Sequence, residues 1–377
     1  MTDTSRNKQS KKPGKEIQEP SESELRAQRE LGVLGPHGEL ELESVTVDGY
    51  SLELRSGDGF VGDSASRTAF RHMLEAWRTL LADMAGKDPL GRKATGDYSK
   101  ERLDEMLAKD GPAAAALRAA QEDYALQFAD VVQRFLAHET WHGVERVIVG
   151  GGFHHSDVGE GAIARATELL AAQKVKVELR TLHHHADEGG LIGWVHLTPT
   201  ALLQSYDAIL AVDIGGTNVR CGIVLTHLHK TPDMSKAEVV RRDKWRHAHD
   251  DPKRDELVEG VATMLENLLA FAEKKKIRVA PFIGVACPGL ISEDGSIAGG
   301  TQNLPGNWES MRFHLPRDLC ERLPDIGGGR TQVCLHNDAV VQGLSELPFT
   351  QDVKRWAVLT VGTGLGNASY TNRAPAR

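Results

Sequence analysis

Two glycine turns, each set between apolar runs, constrain this chain more than any other feature. The first lies in Ala208-Ile-Leu-Ala-Val-Asp213-Ile-Gly215-Gly216-Thr217-Asn218-Val-Arg-Cys-Gly-Ile-Val-Leu225. Apolar stretches on both sides of a polar, glycine-rich turn read as a β-hairpin. The second lies in Trp356-Ala-Val-Leu-Thr360-Val-Gly362-Thr363-Gly364-Leu-Gly366-Asn-Ala-Ser-Tyr370 and repeats the pattern. Glycines there tolerate positive φ and remove side chains that would keep a polyphosphate from the backbone N–H groups. Thr217 adds a hydroxyl donor. Asp213, at the end of its strand, is placed to hold Mg²⁺ through water, because such an ion offsets phosphate charge. One hairpin of this kind can be an ordinary tight turn with an incidental aspartate. Two of them, one from each lobe, can clamp a triphosphate. Neither is a Walker loop: G-x-x-x-x-G-K-[ST] is absent, and a strand rather than a helix follows.

Around these hairpins the pattern alternates between strands and helices, which indicates an α/β protein. Residues 67–140 read as helical, with Phe70, Leu74 and Trp77, then Leu117, Tyr124, Phe128, Val131 and Phe135, at helical spacing. Asp110-Gly111-Pro112 starts the second of these helices, proline being harmless at an early position. A strand at Val147–Val149, a glycine cluster, a helix around Ala162–Ala172 and a strand at Val175–Leu182 follow. After the first hairpin come a helix with Leu257, Val261, Met264, Leu265 and Leu268 on one face, and strands at Phe282–Ala286, Val333–Leu335 and Trp356–Val361.

A chain of 377 residues is long enough for two lobes with sizeable cores. Its net charge of −8 argues against a nucleic-acid partner, which needs a basic face. No apolar run is long enough to span a membrane, and residues 1–30 lack the apolar stretch of a signal peptide. A cytoplasmic location, where ATP is available, is the expectation. Cys221, Cys287, Cys320 and Cys334 lie far apart without a C-x-x-C pair, so free thiols are expected, three of them buried in strands. The polar opening segment, 1–35, reads as a disordered tail carrying a weak basic cluster at Lys8, Lys11, Lys12 and Lys15.

With the hairpins in view, the chain resembles the actin-like ATPase superfamily, whose lobes are ribonuclease H-like, and within it the ROK family of sugar kinases and repressors. The first hairpin is similar to that family's phosphate-1 motif and the second to its phosphate-2 motif. Gly284-Val-Ala-Cys-Pro-Gly289 and Asn303-Leu-Pro-Gly-Asn-Trp308 resemble its substrate-lobe signatures. His336-Asn337-Asp338-Ala339 resembles the segment that carries its catalytic aspartate. The resemblance implies Mg-ATP, a sugar acceptor of glucose type, and Asp338 as general base. ATP and its phosphates would meet Asp213, Gly215, Gly216, Thr217, Asn218, Gly362, Thr363, Gly364 and Gly366, with Gly150, Gly151 and Gly152 on the adenosine side.

The order of segments departs from the family. Val147-Ile-Val-Gly150-Gly151-Gly152 and Asp187-Glu-Gly-Gly-Leu191-Ile-Gly193, which resemble the family's closing segments, here precede phosphate-1. Each occurs once, so circular permutation is inferred, with the old termini joined through His196–Tyr206. The expected division is a tail at 1–35, a large ATP-binding lobe at 36–200, a small lobe at 201–355, and a phosphate-2 hairpin at 356–377 that returns to the large lobe.

Phosphoryl transfer to an alcohol needs alignment, charge neutralisation and a base for the hydroxyl proton. Asp338 follows the apolar strand Val333–Leu335, so its carboxylate emerges where α/β sites gather. It can also serve as cap of a helix over Ala339–Leu347, and the neighbouring Asn337 favours the catalytic role. Asn303 and Asn337 donate and accept hydrogen bonds, which suits adjacent sugar hydroxyls, and Gly289 belongs to the same substrate region. Gln302 and Trp308 are weaker candidates, the tryptophan reading mainly as a packing anchor. His154-His155 and His183-His184-His185 invite a metal reading, but neighbouring histidines on a strand point to opposite faces. The family's Gly-Glu-x-Gly-His sugar segment and its cysteine zinc cluster are both absent, so no zinc is expected. The missing sugar segment would fall near Pro36–Asp63, which offers His37, Glu39 and Asp63 without a match. A non-catalytic sugar sensor and a phosphohydrolase of the same superfamily are the alternatives. The sequence leaves open the acceptor and the oligomeric state, a homodimer included.

Overall fold

The computed structural model describes residues 35–57 and 59–373. The expected tail, except Gly35, and its lysine cluster lie outside the described residues. The fold rests on two five-stranded sheets. The strands, in chain order, are β1 (Val45–Tyr50), β2 (Arg146–Gly150), β3 (Glu178–Thr181), β4 (Ala208–Ile214), β5 (Val219–Leu225), β6 (Glu238–Trp245), β7 (Val279–Cys287), β8 (Gln332–Asn337), β9 (Arg355–Val361) and β10 (Leu365–Asn372).

The first sheet runs β6-β5-β4-β7-β8, and the second runs β1-β10-β9-β2-β3. In the first, β4 and β5 pair antiparallel, as do β5 and β6, while β7 and β8 continue parallel to β4. The second repeats this: β9 with β10 and β10 with β1 are antiparallel, then β2 and β3 run parallel to β9. Both sheets therefore have the ribonuclease H-like order, and the two lobes form the actin-like arrangement. The second sheet departs in connectivity alone. Its leading hairpin, β9–β10, stands last in the sequence, and its other three strands stand first.

Local chemistry explains the elements. Strands β4 and β7 are buried nearly end to end, as parallel strands covered on both faces must be. Helices α1 (Arg67–Ala85), α2 (Lys100–Leu107), α3 (Pro112–Leu136) and α4 (Asp157–Ala172) cover the second sheet. Ser66 caps α1 through Ala69 N, and Pro112 opens α3 as its spacing predicts. Leu117, Tyr124, Phe128, Val131 and Phe135 are fully buried, each worth about 1.5–3 kcal/mol of transfer free energy. Helix α5 (Arg254–Lys275) covers the first sheet with Leu257, Val261, Leu265 and Leu268. A third cluster, including Leu191, Trp194, Phe282, Val341, Trp356 and Tyr370, fills the space between the sheets.

Two strands escaped the sequence pattern. Strand β6 is a half-exposed edge rich in arginine, aspartate and lysine, a composition that blocks further pairing and hides the alternation. Strand β1 breaks its period at a bulge between Val47 and Gly49. The cysteines are all free; Cys221, Cys287 and Cys334 are buried as expected. No helix among the described residues is long and apolar enough to cross a membrane.

Candidate active site

The C-terminal ends of β4, β7, β8 and β9 open onto one cleft of about 730 Å³. Gly215, Gly216, Thr217 and Asn218 line it from the first lobe, and Gly362, Thr363, Gly364 and Gly366 from the second. Asn303, Gly289, Asn337, Asp338 and Gly152 lie on the same walls. Both turns are closed by their own backbone, Gly215 N donating to Asn218 O and Gly362 N to Gly364 O, each at 2.9 Å. His247 Nε2–H donates to Gly215 O at 2.7 Å and holds the first turn from outside.

Asp338 is the first residue of helix α6 (Asp338–Leu344), directly after β8. The expected Asp338 cap is corrected: Asn337 caps α6, its Oδ1 accepting from Ala339 N and Val340 N at 3.0 and 3.3 Å. Asn337 Nδ2 donates to Gly289 O and Ser51 Oγ at 3.0 and 3.1 Å. Within the protein this amide already makes four hydrogen bonds, through which Asn337 braces the aspartate beside it, and it lines the cleft. The Asp338 carboxyl is pushed up to about 7, first by burial and then by the charge of Asp213.

Asp213 lies behind the first turn rather than on the open wall. Its Oδ2 accepts from Arg220 at 2.9 Å, and Arg220 Nε reaches Asp187 Oδ1 at 2.6 Å. Lys244 closes this chain on Asp187 Oδ2 at 2.9 Å. Burial raises the pKa of Asp213, Arg220 opposes it and Asp187 adds to it. Burial also works against ionised Asp187, but Arg220 and Lys244 outweigh it and hold its pKa well below the carboxylate range. Among the described residues no group of three or more His, Cys, Asp or Glu could hold a metal ion. Asp213 and Asp338 therefore fit Mg²⁺ only as an ion that keeps water and phosphate ligands, which is its usual habit.

The Gly150–Gly152 run divides. Gly150 belongs to β2, and the missing Cβ of Gly151 leaves room for the Val361 backbone, at a φ of +85° that favours glycine. Neither lines the cleft. The missing Cβ of Gly150 makes room for the Gln342 side chain of α6, that of Gly151 for the Val361 backbone, and of the three only Gly152 faces open space and lines the cleft. Gly289, with φ +106°, packs its α-carbon side against Gly299 O. The exposed amide of Asn303 stays in the cleft, its backbone against Gly216. Trp308 is a packing anchor, buried against Phe313 with its Nε1–H on Pro305 O at 2.8 Å. Gln302 reaches the cleft. Of the residues near the missing sugar segment, Asp63 reaches the cleft while His37 stacks near His336 at 4.8 Å, outside it, and Glu39 does not line it. The histidine pairs stack on one another and on Phe349.

Sequence reasoning missed Arg67, Glu53 and Asn367, all of which line the cleft. Asn367 clamps the wall segment through both sides of Leu52, accepting from its N–H at 3.0 Å and donating to its carbonyl at 3.1 Å. These residues come together only through pairing of segments about 300 positions apart, which leaves no local signal.

The sheets and cleft together define a two-lobed α/β fold of the actin-like type. Residues 209–377 match the ROK family, the stretch that holds both hairpins and Asp338. Among curated proteins none matches the chain. Among solved structures it is similar to a candidate sugar kinase from Cytophaga hutchinsonii, at 23% identity over 43% of this chain and 47% of that one, TM-score 0.32. It is similar also to a candidate N-acetylmannosamine kinase from Listeria monocytogenes, at 26% identity over 44% and 47%, TM-score 0.32. An exopolyphosphatase-like protein aligns at 12% identity over 66% and 86%, TM-score 0.31. The chain spans about half the length of the first two.

Proposed function

We propose that the protein transfers the γ-phosphoryl group of ATP to a hydroxyl of a sugar, of hexose type, with Asp338 as general base. The observation that carries this reading is one cleft bordered by both glycine turns and by Asp338. Backbone N–H groups of the two turns and the Thr217 and Thr363 hydroxyls would bind the phosphates. Bound Mg²⁺, held near Asp213, would offset phosphate charge. Asn303 would orient the acceptor. As the acceptor oxygen bonds to the γ-phosphorus, the bond from phosphorus to the ADP oxygen breaks, and Asp338 takes the hydroxyl proton. A carboxyl with a pKa near 7 suits this task, since about half of it is ionised at neutral pH and that form is basic enough to accept a proton.

The test is ADP release from Mg·ATP across a panel of hexoses, hexosamines and N-acetylhexosamines. Release that depends on one of them supports the reading. Phosphate release without any acceptor would move it to a phosphohydrolase, and tight sugar binding without turnover to a sensor.

We also read the chain order as a circular permutation. Support comes from the shared sheet order, with the second sheet's leading hairpin displaced to the end of the sequence. Arg373 N donates to Ser44 O at 2.8 Å, so the two segments already run side by side. A rewired chain that starts near Ser205 and joins residue 373 to residue 36 through a short linker should fold. Its melting temperature should fall within about 5 °C of the original. An unfolded or aggregated product in circular dichroism would count against the permutation.

A further inference from the structure

Arg67 is a cleft residue that the proposed reaction leaves without a role. It is the first residue of α1, and its N–H donates to Gly362 O at 3.0 Å. The next residue, Thr68, donates through its hydroxyl to Thr363 O at 3.3 Å. The start of α1 is thereby fastened to the second glycine turn, and the half-buried Arg67 side chain lines the cleft with that turn. Opposite, on the first lobe, Arg246 precedes the short turn at His247–His249. That turn grips the first glycine turn through His247 and through Ala248 N, which donates to Thr217 O at 3.3 Å.

A cation in this setting normally has a carboxylate partner, because a partly buried charge loses hydration. Among the described residues no carboxylate acts on Arg67. Burial lowers its pKa most, followed by repulsion from Arg71 and Arg246. An anion lying between the two turns would convert this crowding into attraction. The planar guanidinium fork matches phosphate oxygens in pairs.

We propose that Arg67 is a phosphate-binding residue that holds the terminal phosphates of a polyphosphate chain lying between the two glycine turns. Naming that chain as the triphosphate of ATP rests on the kinase reading above; the need for a terminal phosphate group does not. Arg67 belongs to the lobe of the second turn, and Arg246 of the first lobe lies near enough to repel it. The phosphates would therefore be neutralised from both sides of the cleft.

Calorimetric titration of the full chain with Mg·ATP, magnesium tripolyphosphate and adenosine tests the assignment. Arg67→Gln should weaken the first two by about 10- to 100-fold, as expected for loss of a charged hydrogen-bonding group, and leave adenosine unchanged. Arg67→Lys, which keeps the charge, should retain most of the affinity that Arg67→Gln loses. Arg71 lies one turn along α1 and bonds to Gly96 O at 3.3 Å, so Arg71→Gln should change each affinity by less than about 3-fold. Unchanged ATP and tripolyphosphate binding in Arg67→Gln would overturn the proposal. So would an equal loss for adenosine, or a loss in Arg71→Gln as large as in Arg67→Gln. If the protein binds tripolyphosphate in an Arg67-dependent way but not ATP, the nucleotide reading fails and this proposal stands. If it binds neither, both fail.

Discussion

Asp338→Asn should lower sugar-dependent ADP release by about 10²- to 10⁴-fold while Mg·ATP still binds, because positioned base catalysis contributes that much. Asparagine keeps the shape of the side chain and its bond to Ala339 N, which Asp338 Oδ1 accepts at 2.9 Å. Only basicity is lost. The wild-type rate should rise with pH through a midpoint near 7 and level off above about 8, where the carboxyl is nearly all ionised. The sign for stability is the reverse. A carboxyl raised to about 7 in the folded protein, from an ordinary value near 4, stabilises most when protonated, and that contribution disappears as pH climbs through about 7. Asp338→Asn should therefore raise the melting temperature by a few degrees at pH 8 and leave it nearly unchanged at pH 4. A mutant that turns over at the wild-type rate, or a rate independent of pH between 5.5 and 8.5, would remove Asp338 from the role of base.

Gly193→Ala should cost about 3 kcal/mol of stability and lower the melting point by about 5–10 °C, read from thermal unfolding. Gly193 is buried between the short helices Gly189–Ile192 and Trp194–Leu197. A Cβ there would fall on the carbonyl of Val341 in α6, with the Val341 carbonyl carbon 2.7 Å away. Backbone cannot swing aside as a side chain can, so the two helices must separate. The same movement reaches the site, because a Cβ on Gly190 would stand 3.1 Å from the Asp213 carboxyl carbon, so that helix packs closely on Asp213, and α6 begins at Asp338. Gly152→Ala is the contrast. Its Cβ would meet nothing within 4 Å, so stability should change by less than about 0.5 kcal/mol. Equal losses in the two variants would contradict this account of the packing.

These contrasts show what the amino-acid sequence can carry. The two hairpins were legible because apolar runs around glycine-threonine turns leave a local pattern, and Asp338 because an apolar strand leads straight to it. The role of each glycine was not legible. Gly150, Gly151, Gly152 and Gly193 share one letter, yet only Gly152 lines the cleft, while the others make room for neighbouring backbone or side chains. That the Asn337 amide caps α6 and bonds to Gly289 and Ser51 could not be read from the sequence, because those partners come together only in the fold. Edge strand β6 hid behind its charges. Arg67 carried no signal, because its contact with Gly362 joins residues far apart in the chain.

The grip of both turns on one nucleotide is tested most directly by a crystal structure with Mg²⁺ and a non-hydrolysable ATP analogue. The account predicts the β- and γ-phosphates within hydrogen-bonding distance of backbone N–H groups from both 215–218 and 362–364, with Asp338 facing the γ-phosphorus across the acceptor position. Phosphates bound by one turn alone, or outside this cleft, would contradict it.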